Sequence, residues 1–263
     1  MVTQTEKSPV PSRGWLSTCW LRFALAITFL TRIPLPIRAE VTPADLQASM
    51  GWYPLIGLGL GALGWGLFYV GIDTLPPLLT AALVVILLEM FTGALHLDGL
   101  MDTCDGIGSG AKRERALEIM KDSRVGAMGV FGAIAIIMVK VTALASLTSA
   151  SAMLPLLVGW MAARAIPALN VTFFQYARTA GTGEAFTKGK SPWVVGITLV
   201  TTVVAAHWLD PEKGLVLAIL IIAGTLLVQA GIARKLQGLT GDVYGMGVEI
   251  AEAFALIVAC GML

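Results

Sequence analysis

Charge is what this sequence has least of. Only 13% of its 263 residues are charged, against 56% hydrophobic, and the mean hydropathy is +0.80. Soluble domains carry about a quarter charged residues, so a water-soluble globule is excluded and a membrane is the medium this composition suits. A net charge of +1 supplies no basic face for nucleic acid. Cysteine is scarce as well: Cys19, Cys104 and Cys260 are odd in number and far apart. That excludes a disulfide framework and zinc-ligand spacing, and it suits a reducing cytoplasmic face. Cys104 reads as a small-residue filler. Of the two histidines, His207 beside Trp208 reads as interfacial, whereas His96 has no assigned role. A cleavable leader is not expected, because Arg32, Pro34 and Pro36, not a small-residue cleavage pattern, follow the apolar run Phe23 to Leu30.

What is present is a series of apolar runs near the roughly 20 residues a bilayer requires. They are Gly51 to Ile72, Leu78 to Leu97, Ala127 to Leu147, Met153 to Phe174, Trp193 to Leu209 and Gly214 to Ala233. Phe23 to Ile37 is short and interrupted, and Val248 to Leu263 carries Glu249 and Glu252, so both read as half-helices or re-entrant pieces. The expected fold is therefore all-α: a polytopic transmembrane helix bundle of about six full spans, with N- and C-terminal half or re-entrant helices. Residues 1–263 read as a single integral-membrane catalytic domain. Lys and Arg gather in the N-terminal arm (Lys7, Arg13, Arg22) and in loops 38–50, 98–126, 175–192 and 234–247, the third of these holding Arg178, Lys188 and Lys190. The turns Asp73 to Pro77 and Thr148 to Ala152 have none, so the positive-inside rule puts the N-terminus and every basic loop in the cytoplasm. Gly57 and Gly61, at GxxxG spacing, are expected to let another helix approach closely.

Against this background, His96-Leu-Asp-Gly-Leu-Met-Asp-Thr-Cys-Asp-Gly106 places three carboxylates in eight residues. On a helix, Asp98, Asp102 and Asp105 stand at i, i+4 and i+7 and project from one face. No cation lies between them, and oxygen-rich clusters of this kind suit Mg²⁺ or Mn²⁺ beside substrate phosphates. A solvated acidic loop is the bland alternative, but the cluster abuts an apolar segment, which favours a metal site. Gly106, Gly108 and Gly110 then read as a flexible turn, followed by Lys112, Arg113 and Arg115 and a helix from about Arg113 to Asp122 ending in Lys121-Asp122-Ser123-Arg124. Basic side chains beside carboxylates suit a metal-bound anionic substrate, although membrane anchoring would use the same residues.

Glu89, Lys140 and Arg164 sit inside apolar runs, where ionisable groups mark function or an internal ion pair. For Glu89, extension of the acidic cluster and pairing with Arg164 are equally good readings. Asp242, Glu249 and Glu252, in a glycine-rich stretch from Gly238, form a second polar patch on the same side of the membrane, where Asp242 and Glu249 could join the first cluster.

These residues resemble the cobalamin synthase family, the adenosylcobinamide-GDP ribazoletransferases. The resemblance spans almost the whole chain. It includes Phe29-Leu-Thr-Arg-Ile-Pro-Leu-Pro36, Trp52-Tyr-Pro-Leu-Ile-Gly57, Thr92 to Gly106, Leu117 to Gly126 and Gly238 to Gly245. It implies a multi-pass protein of the bacterial inner membrane that uses Mg²⁺ and joins α-ribazole, or its 5′-phosphate, to adenosylcobinamide-GDP with release of GMP. In that chemistry Asp98, Asp102 and Asp105 would hold Mg²⁺, Asp122 would be a fourth ligand or the base, and Lys112, Arg113, Lys121 and Arg124 would contact phosphates. A homo-oligomer is left open. The acidic signature also resembles in logic that of the CDP-alcohol phosphotransferases of phospholipid synthesis, with different spacing. A secondary transporter is the rival from another class; it predicts internal repeats and charges at mid-bilayer, whereas here the cluster borders a loop.

Overall fold

A computed structural model describes the protein over residues 14–178, 183–187 and 192–262. Lys7, Arg13, Lys188 and Lys190 lie outside the described residues. The helices are α1 (Trp15–Leu30), α2 (Pro43–Ser49), α3 (Tyr53–Ile72), α4 (Pro77–Thr92), α5 (Leu95–Gly108), α6 (Arg113–Ile119) and α7 (Ala127–Ala145). They continue as α8 (Ser149–Phe173), α9 (Glu184–Thr187), α10 (Pro192–Leu209), α11 (Lys213–Leu236) and α12 (Gly241–Gly261). No strand occurs among the described residues; Tyr176 and Leu239 form an isolated bridge. Five helices are long and apolar enough to cross a membrane, or six if α4 and α5 make one broken span. The protein is a multi-pass membrane bundle.

Helix α8 is its axis, buried from Ala152 to Val171. It starts at a capping box in which Thr148 and Ser151 satisfy each other's backbone amides. Helix α3 lies close against it at Gly57 and Gly61, where a Cβ would run into the carbonyls of Trp160 and Leu156. The glycine spacing thus does what it implied. Gly59, on the same helix, faces open space. Gly61→Val should therefore cost about 1–3 kcal/mol by overpacking, while Gly59→Val is nearly neutral. Thermal unfolding of the two variants in detergent checks this, and equal melting points would refute the packing account.

The expected span Leu78 to Leu97 does not continue straight. At Gly93 (φ 67°) and Ala94 (φ 53°) the backbone turns left-handed, and α5 leaves α4 at 92°. The Ala94 amide donates to the Glu89 carbonyl at 2.7 Å, closing α4, and the Arg32 amide donates to the Phe91 carbonyl at 2.8 Å, fixing the end of α1 there. Gly93 has the residue type a left-handed cap favours, and a Cβ there would meet the Arg32 guanidinium. The bend turns the acidic helix away from the direction of α4.

Two further sequence readings change. Gly106 and Gly108 belong to α5 rather than to a turn; only Gly110 (φ 68°) is a turn glycine. Their lack of a side chain admits Met120, just past the end of α6, and Met128 from α7. At the C-terminus, α12 is a full helix of 21 residues, not a half-helix. Its two glutamates are paired inside the bundle, so they do not interrupt it.

The basic loops meet at one end of the bundle, as their alternation with non-basic turns implied. Lys235 Nζ donates to the Ile107 carbonyl at 3.0 Å, and Arg178 binds both the Met120 carbonyl at 3.3 Å and Asp242 at 2.8 Å.

Candidate active site

All three predicted carboxylates lie on α5, within the helix that their spacing implied. Asp98 is exposed, and Asp102 and Asp105 are half-buried. The side chains of Asp98 and Asp102 make no hydrogen bond or ion pair among the described residues. Asp105 is different: its two oxygens accept the amides of Gly126 and Gly129, each at 2.7 Å. Those amides open α7, where the first N–H groups have no partner within the helix. A Cβ on either glycine would strike the carboxylate. Asp105 is thus aimed by the start of α7, with lone pairs left over.

Asp242 joins this cluster from the first turn of α12. Its charge and those of Asp98 and Asp105 act on Asp102, with Arg178 opposing them. Gly99 and Gly245 allow the approach, since a Cβ at Gly99 would meet the Asp242 backbone. Arg178 is the residue sequence reasoning missed: it was one cation in a basic loop, and no local pattern connects it with Asp242. Glu249, by contrast, does not join. It lies two turns deeper in α12, where Lys140 Nζ binds it at 2.6 Å, Glu252 at 2.5 Å and Glu89 at 3.1 Å. Arg164 pairs with Glu252. Glu89 therefore pairs with Lys140 rather than with Arg164 or the acidic cluster. Among the described residues, only Glu89, Glu249 and Glu252 bring ligand oxygens within 4.8 Å of one another, and the ammonium of Lys140 bonds to all three.

The α5 carboxylates consequently form no closed cage for an ion. Their donor set nevertheless fits Mg²⁺, which takes hard oxygens, keeps several waters and is usually held by one or two carboxylates together with substrate phosphates. An open row of acids with two unpaired members has that character.

The basic residues divide. Arg113 is turned to backbone: Nε donates to the Leu236 carbonyl at 2.8 Å and a terminal nitrogen to the Ala177 carbonyl at 2.9 Å. It caps α11, whose last carbonyls have no helical partner and carry the negative end of the dipole. Lys112 and Lys121 are exposed. Arg124 is clasped by Asp122, with Nε to Oδ1 at 3.0 Å and a terminal nitrogen to Oδ2 at 2.6 Å. The hydrogen bonds from Arg124 hold the Asp122 carboxyl down at about 2. Asp122, predicted as a fourth ligand or the base, is seen here holding Arg124. Asp105, Glu118 and Asp122 with Arg115 and Arg124 line a polar cleft of about 130 Å³, in which Arg115 pairs with Glu118 at 3.0 Å as Arg124 pairs with Asp122.

At the other end of α5, Asp98 and Asp242 border a cavity of about 270 Å³ whose far wall includes Phe29, Tyr53 and Phe186. The carboxylate row thus connects an aromatic cavity with a cleft of mixed charge that holds two arginines.

Comparison with known proteins gives the site its context. The family model described as cobalamin-5-phosphate synthase matches residues 22–260. The chain belongs to that family. It is 39% identical to the adenosylcobinamide-GDP ribazoletransferase of Desulfitobacterium hafniense (strain Y51), over 91% of this chain and 96% of the relative. It is 37% identical to the enzyme of that name from Brevibacillus brevis, over 91% and 97%, and 38% identical to that of Geotalea daltonii, over 89% and 95%. No solved structure matches. A member of the cobalamin-5-phosphate synthase family is an enzyme, a transferase of cobalamin synthesis acting on a substituted phosphate group, and here it is built into membrane helices.

Proposed function

We propose that the protein joins α-ribazole, or its 5′-phosphate, to adenosylcobinamide-GDP and releases GMP, at the cytoplasmic face of the bacterial inner membrane. The observation that carries this reading is the row Asp98, Asp102, Asp105 at the end of the bundle, flanked by a cavity for a base and a cleft for phosphate. The cytoplasmic side follows from the positive-inside rule, since the site lies at the end where Lys and Arg gather. The relatives' named donor, a nucleotide derivative, is consistent with that side.

The reaction is a displacement at phosphorus. A ribose hydroxyl of the acceptor attacks the phosphoryl group attached to cobinamide, the P–O bond to GMP breaks, and GMP leaves with the bridging oxygen. Such steps depend on positioning and charge neutralisation more than on covalent help. Mg²⁺ held by Asp98, Asp102 and Asp105 would neutralise the pyrophosphate and the leaving oxygen. Arg124, held by Asp122, and Arg115, held by Glu118, would turn their remaining N–H groups to the phosphates in the cleft, with Lys112 and Lys121 exposed nearby in sequence. Asp242, on the cavity wall and outside the proposed Mg²⁺ set, would take the hydroxyl proton.

Purified protein in detergent should release GMP from adenosylcobinamide-GDP only when α-ribazole and Mg²⁺ are both present; release of CMP from a CDP-alcohol instead would overturn the assignment. The two arginines should separate. Arg124→Lys keeps the charge but loses the planar fork, so kcat/KM should fall about ten-fold or more. Arg113→Lys should mainly lower thermal stability, because its hydrogen bonds go to backbone carbonyls, Leu236 at the end of α11 and Ala177 in the loop after α8. Full activity in Arg124→Lys would return that residue to membrane anchoring.

A further inference from the structure

The aromatic cavity has a composition that selects among the parts of the two substrates. It lies where α1, the start of α3, the start of α5, α9 and the start of α12 converge. Phe29 stacks on Tyr53 with ring centroids 6.1 Å apart and planes 13° apart, and it meets Phe186 at 5.3 Å. Neither Lys nor Arg is among the lining residues, and Asp98 and Asp242 stand on its wall, so a phosphate or any other anion is excluded. Three side chains that line it are buried with a polar atom lacking a hydrogen-bond partner among the described residues: Nε2 of His96 and the hydroxyls of Tyr53 and Tyr244. His96 is 5% exposed and Tyr244 6%. Buried polar atoms of native proteins are hydrogen-bonded to protein or ordered water, so each one unpaired among the described residues marks a point where a ligand atom can bond.

Resting on the ribazole-transfer reading, we propose that this cavity holds the base of the acceptor nucleoside, stacked among Phe29, Tyr53 and Phe186 and hydrogen-bonded by His96 or Tyr244. The base is a flat, alkylated benzimidazole with one free ring nitrogen as acceptor and an otherwise apolar edge. A largely apolar cavity of about 270 Å³ with three such polar atoms on its lining residues suits it. The guanine of the donor presents several donors and acceptors along one edge, most of which would be buried unpaired here at a cost in binding. With the base in this cavity, the attached ribose emerges beside Asp98 and Asp242, and the phosphates of the donor reach the arginine cleft at the far end of α5. His96 is then a binding residue for the base, a role its sequence position did not disclose.

Two readouts test this together: steady-state kinetics with each substrate varied, and equilibrium dialysis of α-ribazole alone against the detergent-purified protein. Stacking on an aromatic ring is worth on the order of ten-fold in affinity per base. Phe186→Ala should therefore raise KM for α-ribazole about ten-fold and weaken its dialysis affinity equally, leaving KM for adenosylcobinamide-GDP within about two-fold. Phe186→Trp should restore binding. Tyr244→Phe, which removes one hydroxyl and keeps the packing, supplies a variant that folds if Phe186→Ala does not; Tyr244→Phe and His96→Gln should, between them, show a several-fold loss for α-ribazole only. A rise confined to the donor KM would place guanine or corrinoid in the cavity and overturn the proposal, as would no change in any variant. If the wild type binds α-ribazole in dialysis and Phe186→Ala does not, yet no GMP is released, the base site stands and the reaction assignment fails. No dialysis binding to the wild type removes the base site, whatever the turnover.

Discussion

Asp102→Asn should lower turnover about a hundredfold while the protein still inserts and folds. Asp102 stands mid-row on α5, with Asp98, Asp105 and Asp242 acting on it and no hydrogen bond of its own among the described residues. Its negative charge therefore has no structural employment, and Asn preserves the volume. Removing one group that stabilises developing charge in a transition state typically costs about a hundred- to a thousand-fold in kcat. Part of the loss should be recovered at high Mg²⁺ if affinity for the ion is what was lost. Asp98→Asn should behave similarly. Asp105→Asn should differ, because an amide has one acceptor oxygen where the carboxylate now takes two backbone N–H groups. One amide at the start of α7 would be left unpaired, and the variant should lose about 1–3 kcal/mol of stability as well as activity. Near-normal kcat/KM for Asp102→Asn at limiting Mg²⁺, measured at equal protein abundance, would remove Asp102 from the site.

What the sequence made legible was what depends on period and composition. Three aspartates at i, i+4 and i+7 share a helix face whatever surrounds the helix, and α5 duly carries them. Glycines four apart on α3 could only mean a close neighbour, which is α8. Basic loops alternating with non-basic turns put several cation-bearing segments at one end of the bundle. The parts that stayed hidden depend on groups distant in the chain or on dihedral angles. Hydropathy runs without a break from Leu78 to Leu97 and does not register the left-handed pair Gly93 and Ala94, so the right-angle bend was invisible. Gly106 and Gly108 looked like a turn because glycine has two uses, and only Met120 and Met128, arriving from just past α6 and from α7, show which applies. Arg113 and Arg124 sit in equally basic surroundings, yet one meets backbone carbonyls distant in the chain and the other a carboxylate two residues away. The aromatic cavity draws on α1, α3, α5, α9 and α12, and no single segment announces it.

Lys140→Met should be the most destabilising single change in the bundle, at about 3–5 kcal/mol. Lys140 is 1% exposed and holds Glu89, Glu249 and Glu252, from α4 and α12, at 2.5–3.1 Å. Arg164, 2% exposed, has Glu252 as its one carboxylate partner among the described residues. The cluster therefore sets three carboxylates against two cations. Without Lys140, Glu89 and Glu249 would be left side by side with no counter-charge, in a medium where an isolated ion is strongly disfavoured. Breaking a buried pair by removing one partner costs that much because the remaining charge loses its compensation, whereas removing both partners is far less harmful. The double variant Lys140→Met with Glu249→Gln should accordingly recover part of the loss, and Glu249→Gln alone should cost less than Lys140→Met. Since Lys140 ties α7 to α4 and α12, the loss should appear as a lower melting point and lower membrane abundance before any change in turnover per folded molecule. Thermal unfolding of the four proteins in one detergent measures each term. Unchanged stability in Lys140→Met would mean that the glutamates are neutralised by protons rather than by the ammonium, and the ion-pair account of how α4, α7 and α12 are joined would fail.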